Sequence, residues 1–510
     1  MDRKPAATLT VVGSQASDPG CDRGHRVRPV MRGHARAKVD ERVSSRIALA
    51  VPGSPPSDGE LKLDHRLQPV HVRPFQESSL DQSHSPGRIA SAHGLDCVWM
   101  DNRPASDATP SAVELDALRA AIASDLPAYL SDLERLVNVD CGSYTPAGVN
   151  EVGRWASAFL TELGATVESR PDPAGRLGDT IIATFTGQPG GPSALVIGHM
   201  DTVFDPGTAA ERPFRIDDGI AHGPGVTDMK SGLLTGLYAL KAVIGERGGL
   251  PFERLVFVCN PDEEIGSPTS TPHIREVAAA SDVALVLECA RANGDIVSER
   301  KGILDLRLVV RGRAAHAGVE PDKGRSAILE AARIVRELHD LNGRWPGVTV
   351  NVGVIAGGTR PNVVPDRCAL EVDVRATTRE ALETAEAEIR RIAEAAEVPD
   401  TRVEFEPMAR WWPMEKLARS GRLVEHAQAV ARTLGFDVHD ASTGGASDAN
   451  TTAGMGIPSL DGLGPIGGND HSPAEYLDLD SVVPRTTLFA GLLLAIAADP
   501  EVLSWRQARS

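Results

Sequence analysis

The sequence predicts an α/β protein whose larger domain has a mostly parallel sheet and carries an inserted α+β domain of ferredoxin-like type. Three short, continuous apolar runs are typical of buried parallel strands, and they lie at 196–197, 255–258 and 283–287. A helical pattern between such runs favours parallel strands joined by right-handed crossovers. After Gly302 apolar and polar residues alternate, and this pattern indicates antiparallel strands.

In the larger domain the first predicted helix follows Ser111, a suitable N-cap with Glu114 three residues later. The next predicted elements are an amphipathic helix at 150–164, strands at 166–170 and 180–186, and a helix at 231–245. From Met414 helices and short strands resume, so we expect the C-terminal segment to complete this domain. The apolar helix predicted over 486–498 is too short to span a bilayer, and no membrane partner is expected.

The insert is predicted from a β-α-β-β-α-β order of elements. Its expected elements are a strand in 303–318, a helix at 326–341, strands at 348–359 and 368–377, a helix at 379–397 and a strand at 403–412. The predicted boundaries follow from this order. The larger domain covers 110–302 and 414–510, and the insert covers 303–413.

Length and composition limit the classes of protein to consider. A chain of 510 residues is too long for a single core, which predicts two or more domains. A 41% hydrophobic and 24% charged composition is typical of a soluble globular protein. The net charge of -17 argues against a nucleic-acid partner. Six scattered cysteines without a CxxC pair predict reduced thiols, mostly in the core, of a cytoplasmic protein.

The predicted N-terminal extension, residues 1–109, differs from the rest of the chain. Its first hundred residues are rich in Arg, His, Pro, Ser and Gly and show no sustained periodicity, which predicts disorder. No apolar core follows its basic start, so it is a poor signal peptide. Its histidines are irregularly spaced, which favours solvated loop residues over a metal-binding tail. The change of character near Met100 raises the hypothesis that translation starts there, which N-terminal sequencing of the native protein would test.

Acidic and histidine side chains follow each of the three apolar runs. His199 and Asp201 follow the first run, Glu263 and Glu264 follow the second, and Glu288 ends the third. Open α/β sheets bind their ligands at the carboxyl ends of parallel strands. One imidazole among several carboxylates would be opposed by charge repulsion unless a cation were present. The sequence therefore predicts a metal site at this edge of the sheet.

Each of these residues also has a simpler interpretation when taken alone. His199 and Asp201 share one face of an extended segment, where the histidine can ligate and the acid can orient it, but an H-x-D pair is a weak signal. A carboxylate that closes an apolar strand, as Glu288 does, needs a partner. Adjacent acids such as Glu263 and Glu264 are usually solvated, although their side chains diverge, so one can ligate while the other faces a substrate.

Two further candidates lie in glycine-rich loops. Asp228 occurs in GPGVTDMKSG before a helical run, where an N-cap is the simpler interpretation. His471 occurs in GPIGGNDHSPAEY and alone would be an unremarkable loop histidine. Taken together with the residues at the strand ends, both favour a metal site.

The order of these motifs resembles the zinc aminoacylase/carboxypeptidase family of dinuclear metallopeptidases, and within it the bacterial glutamate carboxypeptidases of the carboxypeptidase G type. The resemblance covers roughly residues 110–500. It rests on the motifs HMDTV, GPGVTDMKSG, NPDEEIGS, LVLE, AAHAG, PNVVP, DVR, GGASDAN and GGNDHSPAEY. It implies that the larger domain is a zinc-peptidase catalytic domain and that the insert is a lid and dimerisation domain.

The resemblance also implies two zinc ions per subunit. Asp228 would bridge them, His199 and Glu288 would complete one site, and Glu264 and His471 would complete the other. Three protein ligands per ion leave a position for water, as hydrolytic zinc requires.

Further roles follow from the same resemblance. Glu263 would be the general base, and Asp201 would orient His199. His316, in RGRAAHAG, would reach the site of a second subunit and stabilise the oxyanion, which implies a homodimer through the insert. A structural turn histidine is the alternative for His316.

Three residues of the insert match positions that bind the C-terminal side of the substrate: Asn362, Arg375 and Arg410. Arginine suits a carboxylate because its planar fork pairs bidentately, but Arg375 could equally form a structural ion pair. The sequence departs from the glutamate enzymes, which have GRPAF where this chain has MARWWP. Trp411 and Trp412 could therefore reshape the pocket, or they could pack at the hinge.

The predicted function is that of a dizinc metallohydrolase. It would cleave the amide that releases a C-terminal, glutamate-like amino acid from a small peptide or an N-acyl amino acid. An aminoacylase or dipeptidase with another side-chain preference is the alternative in the same class. A non-catalytic binding protein is the alternative in another class; loss of Glu263 or of ligands would favour it, and all of them are present.

Overall fold

The computed structural model describes residues 105–505. The predicted disorder of most of the N-terminal extension, and the hypothesis about Met100, therefore lie outside the described residues. The described chain begins with a 3-10 turn, Ala105–Ala108, in which Ala105 is buried. The end of the stretch 1–109, which was predicted to be disordered, is therefore folded at Ala105–Ala108, because this apolar side chain joins the folded domain.

In the described residues, the first part of the larger domain has five α-helices and eight strands. The helices are α1 (Ala112–Val137), α2 (Pro146–Glu162), α3 (Thr208–Glu211), α4 (Ser231–Arg247) and α5 (Thr271–Ala279). The strands are β1 (Thr166–Arg170), β2 (Thr180–Thr186), β3 (Ser193–His199), β4 (Arg215–Asp217), β5 (Ile220–His222), β6 (Arg254–Asn260), β7 (Val283–Val286) and β8 (Ile296–Arg300). The predicted capping box is present: Ser111 Oγ accepts from Glu114 N at 3.3 Å.

The insert forms its own antiparallel sheet. Its strands and helices are β9 (Gly302–Arg311), β10 (Ala315–His316), α6 (Ala327–His339), β11 (Thr349–Gly357), β12 (Val363–Val364), β13 (Arg367–Ala376), α7 (Arg379–Glu394) and β14 (Arg402–Trp411). The strand order is β11-β13-β9-β14, and α6 and α7 bury their apolar faces against it. This is the expected ferredoxin-like arrangement.

One element of the insert differs from the prediction. The run 303–318 does not form a single strand, because the chain leaves the sheet after Arg311 and the short β10 pairs with β12 instead. The break falls at Gly312, where a Cβ would lie 2.0 Å from the carbonyl oxygen of Arg325. Only glycine fits this close backbone approach.

The C-terminal segment returns to the larger domain. Its elements are α8 (Ala418–Leu434), β15 (Asp440–Thr443), α9 (Asp448–Gly454), β16 (Ser459–Leu460), β17 (Gly467–Gly468), β18 (Tyr476–Asp478), α10 (Val482–Ala498) and α11 (Pro500–Ser504). β16 adds to the main sheet beside β7, and β18 pairs with β5. The second pairing brings the loop that carries His471 towards the loop between β5 and α4.

The main sheet has the order β1-β2-β6-β3-β7-β16. The pairs β6–β3, β3–β7 and β7–β16 are parallel, and only the β1 and β2 edge is antiparallel. The prediction of a mostly parallel sheet is therefore confirmed. In the β3–β6 register His199 lies opposite Asn260, so the carboxyl ends of the central strands meet at one edge. The site described below lies at this edge.

Helix α10 lies in the core of the larger domain, where Leu488, Phe489 and Leu492 are buried. The prediction that this helix is too short to cross a membrane was wrong on length: Leu479–Ala498 is long and apolar enough by composition. However, 78% of that window is buried inside the structure, as expected of the core helix of a globular domain.

The four cysteines among the described residues are free and buried: Cys141, Cys259, Cys289 and Cys368. Burial raises the pKa of Cys259 to about 12, so its thiol stays protonated at neutral pH. The prediction that most of the cysteines are small core residues is confirmed for these four. Cys21 and Cys97 lie outside the described residues.

Candidate metal centre

His199 ends strand β3, and its side chain is buried. Its Nδ1 lies 3.0 Å from the backbone oxygen of Asp201. The Asp201 carboxylate is fully buried and accepts from the backbone N–H groups of Glu263 and Glu264, at 3.1 and 3.2 Å, and from Ser143 Oγ at 2.6 Å. Asp201 therefore holds the loop with the two glutamates against the end of the strand, and it is not an exposed chance neighbour of His199.

Asp228 lies at the meeting point of the two histidines. One of its carboxylate oxygens is 3.0 Å from His199 Nε2, and the other is 3.1 Å from His471 Nε2. It belongs to a π-helical turn, Val226–Lys230, that precedes α4, and its own backbone angles are not helical. The N-cap interpretation is therefore wrong, because the Asp228 side chain faces the histidines.

The other two predicted ligands complete the cluster. Glu264 Oε2 is 3.1 Å from His471 Nε2, and Glu288 Oε1 is 3.7 Å from His199 Nε2. Ligand atoms of His199, Asp228 and Glu264 lie within 4.8 Å of one another, and so do those of His199, Glu263 and Glu288. The structure thus brings together all five predicted ligands and the predicted base, although they come from five separate segments of the chain.

The acids of the cluster are crowded together with little solvent. Burial raises the pKa of Glu288 well above its usual range, and the nearby charge of Asp228 raises it further. Burial also raises the pKa of Glu263 and of Glu264. Without a cation, burial and mutual charge repulsion oppose the simultaneous ionisation of these carboxyls.

The pKa values of the two histidines are raised as well, which in their case favours the charged form. Hydrogen bonds to Asp228 and Glu264 raise the pKa of His471 to about 10. Burial opposes the charged form of His199, but hydrogen bonds to Asp201 and Asp228 outweigh it and raise the pKa. A divalent cation would replace these protons and relieve the repulsion among the acids. Imidazole nitrogen and carboxylate oxygen are donors that zinc accepts, so the residues present fit such an ion.

Sequence reasoning missed Glu475, a buried acid that supports the centre. Its carboxylate accepts from three backbone N–H groups, those of Gly225 and Thr227 at 2.9 Å and that of Asp228 at 3.1 Å. Burial raises the pKa of Glu475 to about 7, against the effect of these donors. The available signal was its position four residues after His471, within the same motif.

The structure places His316 and Asn362 in the insert, where both are exposed. His316 lies on β10, and the next residue, Ala317, donates its N–H to the backbone oxygen of Asn362 at 3.0 Å. Within 105–505 neither residue has a hydrogen bond to the metal-centre residues. Their predicted roles toward substrate stay predictions.

The two arginines of the insert pair with acids of their own domain. Arg375 binds Asp373 on the same strand, with Nε at 2.9 Å and Nη2 at 2.8 Å from one carboxylate oxygen. Arg410 donates to Glu386 Oε2 of α7 at 2.5 Å. The structure therefore contains the ion pair that was the alternative for Arg375. It does not bring either guanidinium to the centre, so their substrate-binding roles stay predictions.

The two tryptophans occupy different surroundings. Trp412 packs at the hinge against Gly454 of α9, and its backbone oxygen accepts from Asn450 Nδ2 at 2.8 Å. Trp411 lies beside Gly266, where a Cβ would be 3.7 Å from its indole nitrogen. Trp411 thus contacts the loop that carries the two glutamates, whereas Trp412 serves the hinge.

A mostly parallel α/β sheet that gathers histidines and carboxylates at its carboxyl edge, with an inserted α+β domain, defines a metal-dependent peptidase or amidohydrolase. The model of peptidase family M20/M25/M40 matches residues 195–495, and the chain belongs to this family. The family membership that the motifs predicted is confirmed, and the protein is an enzyme of the metallocarboxypeptidase class.

Individual relatives give the same result. Carboxypeptidase G2 of Pseudomonas sp. (strain RS-16) is 30% identical over 387 residues, which cover 75% of this chain and 92% of that protein. Succinyl-diaminopimelate desuccinylase of Leptothrix cholodnii is 26% identical over 370 residues, covering 67% and 92%. Acetylornithine deacetylase of Myxococcus xanthus is 31% identical over 265 residues, covering 49% and 67%.

Solved structures agree on the fold. Aminopeptidase PepT from Bacillus cereus superposes with a TM-score of 0.60 at 25% identity, covering 73% of this chain and 99% of that one. The metallo-carboxypeptidase Sso-CP2 from Sulfolobus solfataricus has a TM-score of 0.56 at 16% identity, covering 72% and 99%. The latter likeness concerns the fold alone.

Proposed function

We propose that the protein is a dizinc hydrolase that releases a C-terminal, glutamate-like amino acid from a small peptide or an N-acyl amino acid. One observation carries the proposal: the two oxygens of Asp228 face two different histidines, at 3.0 and 3.1 Å. A carboxylate in this position can be shared between two metal ions. One ion would be held also by His199 and Glu288, and the other by Glu264 and His471.

The bound ions would polarise the scissile carbonyl and lower the pKa of water. Glu263 would act as the base because its carboxyl lies half-buried within the cluster and is not needed as a sixth ligand. It would take the proton of the attacking water and deliver it to the leaving nitrogen. Burial raises the pKa of Glu263, and a raised pKa suits a carboxylate that must receive a proton near neutral pH. Asp201 would fix the Glu263 backbone during this transfer.

On the leaving-group side, a terminal carboxylate would compete with Asp373 and Glu386 for the guanidinium groups of Arg375 and Arg410. Asn362 would add an amide contact to it. The similarity to a protein named carboxypeptidase G2 supports an acidic amino acid. The second candidate is a deacylase of N-acyl amino acids with another side-chain preference, and the similarity to acetylornithine deacetylase and succinyl-diaminopimelate desuccinylase favours it.

We also propose a homodimer through the insert. Strand β11 is an edge strand of its sheet, and its Val354 and Ile355 are 47% and 54% exposed. Ile328 and Leu329 at the start of α6 add further exposed apolar surface. An edge of this kind pairs readily with the same edge of a second copy. His316 of the partner subunit would then stabilise the oxyanion. A cytoplasmic location is proposed as well, supported by the free thiols of the described cysteines.

The proposed base is tested with Glu263→Gln. The zinc-loaded variant should hydrolyse N-acetyl-L-glutamate at a kcat lower by about 10²- to 10⁴-fold, since a proton acceptor is removed from the reaction. Parallel assays on N-acetyl-L-alanine would separate the glutamate-like preference from its alternative. Zinc content, measured by plasma mass spectrometry, should stay the same.

The matched control is Glu246→Gln, an exposed acid of α4, which should leave both hydrolysis and zinc content unchanged. Hydrolysis undiminished by Glu263→Gln would remove Glu263 as the base.

A further inference from the structure

The end of the insert sheet that lies away from the hinge carries three arginines side by side. Arg311 of β9 lies directly opposite Arg367 of β13 on one side and Arg402 of β14 on the other. We call these three residues the arginine row. The adjacent Val310 and Cys368 belong to the core beneath α6 and α7. Because side chains alternate along a strand, the arginine row points to the opposite, open face of the sheet.

A cavity of about 640 Å³ opens over this row, and all three arginines line it. Its other walls are formed by the turn 356–359, which ends β11, and by Gly312, Asp366 and Asp400. Sites for small molecules in proteins have volumes of about 300–1,000 Å³. The cavity is therefore of a size that suits a small ligand.

The next charged position on the same face of β9 has a different pattern. Arg307 has the acids Glu371 and Glu406 as its two cross-strand neighbours, and its guanidinium lies 3.1 Å from Glu371. Opposite charges in facing positions stabilise a sheet, whereas like charges in facing positions destabilise it. The arginine row thus departs from the charge pattern of its own sheet, and it does so where the cavity opens.

The acids nearby do not neutralise the arginine row. Glu404 accepts from Arg311 Nε and Nη2, at 3.0 and 2.9 Å, and lies 3.6 Å from Arg402 Nη2. Among residues 105–505, no acid forms an ion pair with Arg367. The row, the acids of the cavity wall and their ion-pair partners comprise five arginines and three acids: Arg311, Arg313, Arg325, Arg367 and Arg402, with Asp366, Asp400 and Glu404. The cavity is therefore positively charged in a chain whose net charge is -17.

The cavity is separate from the site proposed for the terminal carboxylate of the substrate. Arg375, which has that proposed role, lies on β13 with Arg367 but at the hinge end of the strand. At about 3.4 Å per residue, the strand holds the two arginines roughly 27 Å apart. A molecule in the cavity would therefore be a second ligand of the chain.

The geometry of the row indicates the kind of ligand. Guanidinium forks bind phosphoryl oxygens in pairs. Adjacent strands lie about 4.8 Å apart, so the row spans roughly 10 Å, which is more than one phosphoryl group covers. We propose that the cavity binds a small anion with two or more linked phosphoryl groups. Among the described lining residues none is aromatic, so the phosphate chain itself is what the cavity recognises. This inference goes beyond the proposed hydrolysis and does not depend on it.

Calorimetry on the zinc-loaded full chain tests the site, with diphosphate as the probe. The wild type should bind one diphosphate per chain. Arg367→Ala and Arg402→Ala should each weaken binding by about tenfold or more, because each removes charged hydrogen bonds to the anion. The matched control is Arg307→Ala, which removes an arginine from the same face of the sheet outside the cavity lining, and it should bind diphosphate as the wild type does.

Linked phosphoryl groups can come from a free diphosphate or from a nucleotide, and ADP distinguishes the two sources. ADP should bind no more tightly than diphosphate, because the described walls offer no aromatic surface to the base. A tighter complex with ADP would overturn recognition of the phosphate chain alone.

Unfolding in urea gives a second measurement, which a purely structural role of the row would not reproduce. Without anion, Arg367→Ala should unfold at a urea concentration no lower than the wild type, since the change relieves repulsion across the row. Diphosphate should raise the midpoint of the wild type and leave that of Arg367→Ala unchanged. A variant that is less stable than the wild type without anion would contradict the repulsion.

Two further outcomes would overturn the site. Equal heats of binding in the wild type and in both row variants would show that diphosphate acts elsewhere, by removing zinc from the chain, and plasma mass spectrometry of the dialysed sample would detect that loss. Equal weakening by Arg307→Ala and by Arg367→Ala would show an effect of net charge without a defined cavity.

Discussion

The position of Asp228 depends on a second buried acid, Glu475. The Glu475 carboxylate gathers three backbone N–H groups of the turn in which Asp228 lies, and it belongs to the same loop as His471. One side chain therefore ties together the segments that carry two proposed ligands. Mutation of a residue that orients a metal ligand typically lowers metal affinity by about 10- to 100-fold.

We predict that Glu475→Gln lowers zinc affinity by about 10- to 100-fold. The amide would present an N–H group to a turn that offers only donors, so the turn must move. Competition with a chromophoric chelator measures the affinity. Zinc affinity equal to that of the wild type and of Glu246→Gln would show that the turn keeps its shape without this carboxylate.

Asp228 and Glu475 also show how much can be predicted from the sequence for single residues. The strand-end acids and His199 could be predicted because the apolar runs beside them are local signals. The contacts of Glu475 could not, since its partners are backbone groups of a loop about 250 residues earlier in the chain, and only its place in the His471 motif was a signal. An ion pair of Arg375 was one of the two predicted alternatives, but Asp373 as its partner and the pair of Arg410 with Glu386 were not predicted. Long charged side chains bind the acid that the tertiary structure places nearest to them.

At the scale of elements, helix α4 approaches the end of β7 very closely. A Cβ on Gly232 would lie 1.9 Å from the backbone oxygen of Leu287, the residue before Glu288. Gly245, at the other end of the same helix, has open space around it and is exposed. The two glycines therefore offer a matched pair on one helix.

We predict opposite effects from alanine at these two positions. Gly232→Ala should lower the free energy of unfolding by about 1–3 kcal/mol, because the helix must move away from the strand, and displacement of Glu288 should weaken zinc binding. Gly245→Ala should raise the free energy of unfolding by about 0.5–1 kcal/mol through helix propensity. Urea denaturation measures both, and a stabilising Gly232→Ala would contradict the close approach.

A second pair of elements, α8 and α11, is joined through Asp499. This buried carboxylate accepts from Arg422 Nε at 2.9 Å and lies 2.7 Å from His426 Nε2. Burial acts to raise its pKa, but the hydrogen bonds with His426 and Arg422 outweigh burial and hold the pKa well below its usual range. The ionised form is therefore favoured by folding.

We predict that Asp499→Asn destabilises the protein by about 1.5–3 kcal/mol at pH 7, since it removes the charged hydrogen-bond partner of the buried Arg422 and leaves it only Glu425 and Glu501, at 3.7 and 3.6 Å. The direction in which stability changes with pH follows from the lowered pKa of Asp499. The contribution of Asp499 is present above the ordinary aspartate pKa of about 3.9 and is lost as pH falls below it. Denaturation should show that the free energies of unfolding of the wild type and the variant differ less at pH 3 than at pH 7. A constant difference would contradict the ionic origin.

At the scale of the whole molecule, alternating and continuous apolar patterns were enough to predict the two sheets and their classes. The β10 excursion was not predicted, because the break at Gly312 depends on the Arg325 backbone, which only tertiary contact supplies. The length of α10 was underestimated, because Pro484 and Arg485 in its first turn interrupt the apolar run.

The proposed homodimer is a property of the whole molecule and depends on the β11 edge of the insert. Ile355→Asp should convert a dimer into a monomer in size-exclusion chromatography with light scattering, because it places a charge on the unpaired β11 edge. Hydrolysis should fall with it if His316 of the partner subunit completes the site. Val113→Asp is the control and should leave the mass unchanged. A wild-type protein that is monomeric at micromolar concentration would remove the proposal.

The insertion of one domain into the other also has a consequence for synthesis on the ribosome. β16 pairs with β7, and His471 and Glu475 reach the centre, only after the intervening domain has been translated. Until then the first part of the larger domain remains incomplete, and the β7 edge of its sheet is unpaired. The insert, in contrast, can fold from one contiguous stretch of sequence. In the proposed dizinc site, metal binding by both histidines would therefore follow the synthesis of the C-terminal segment.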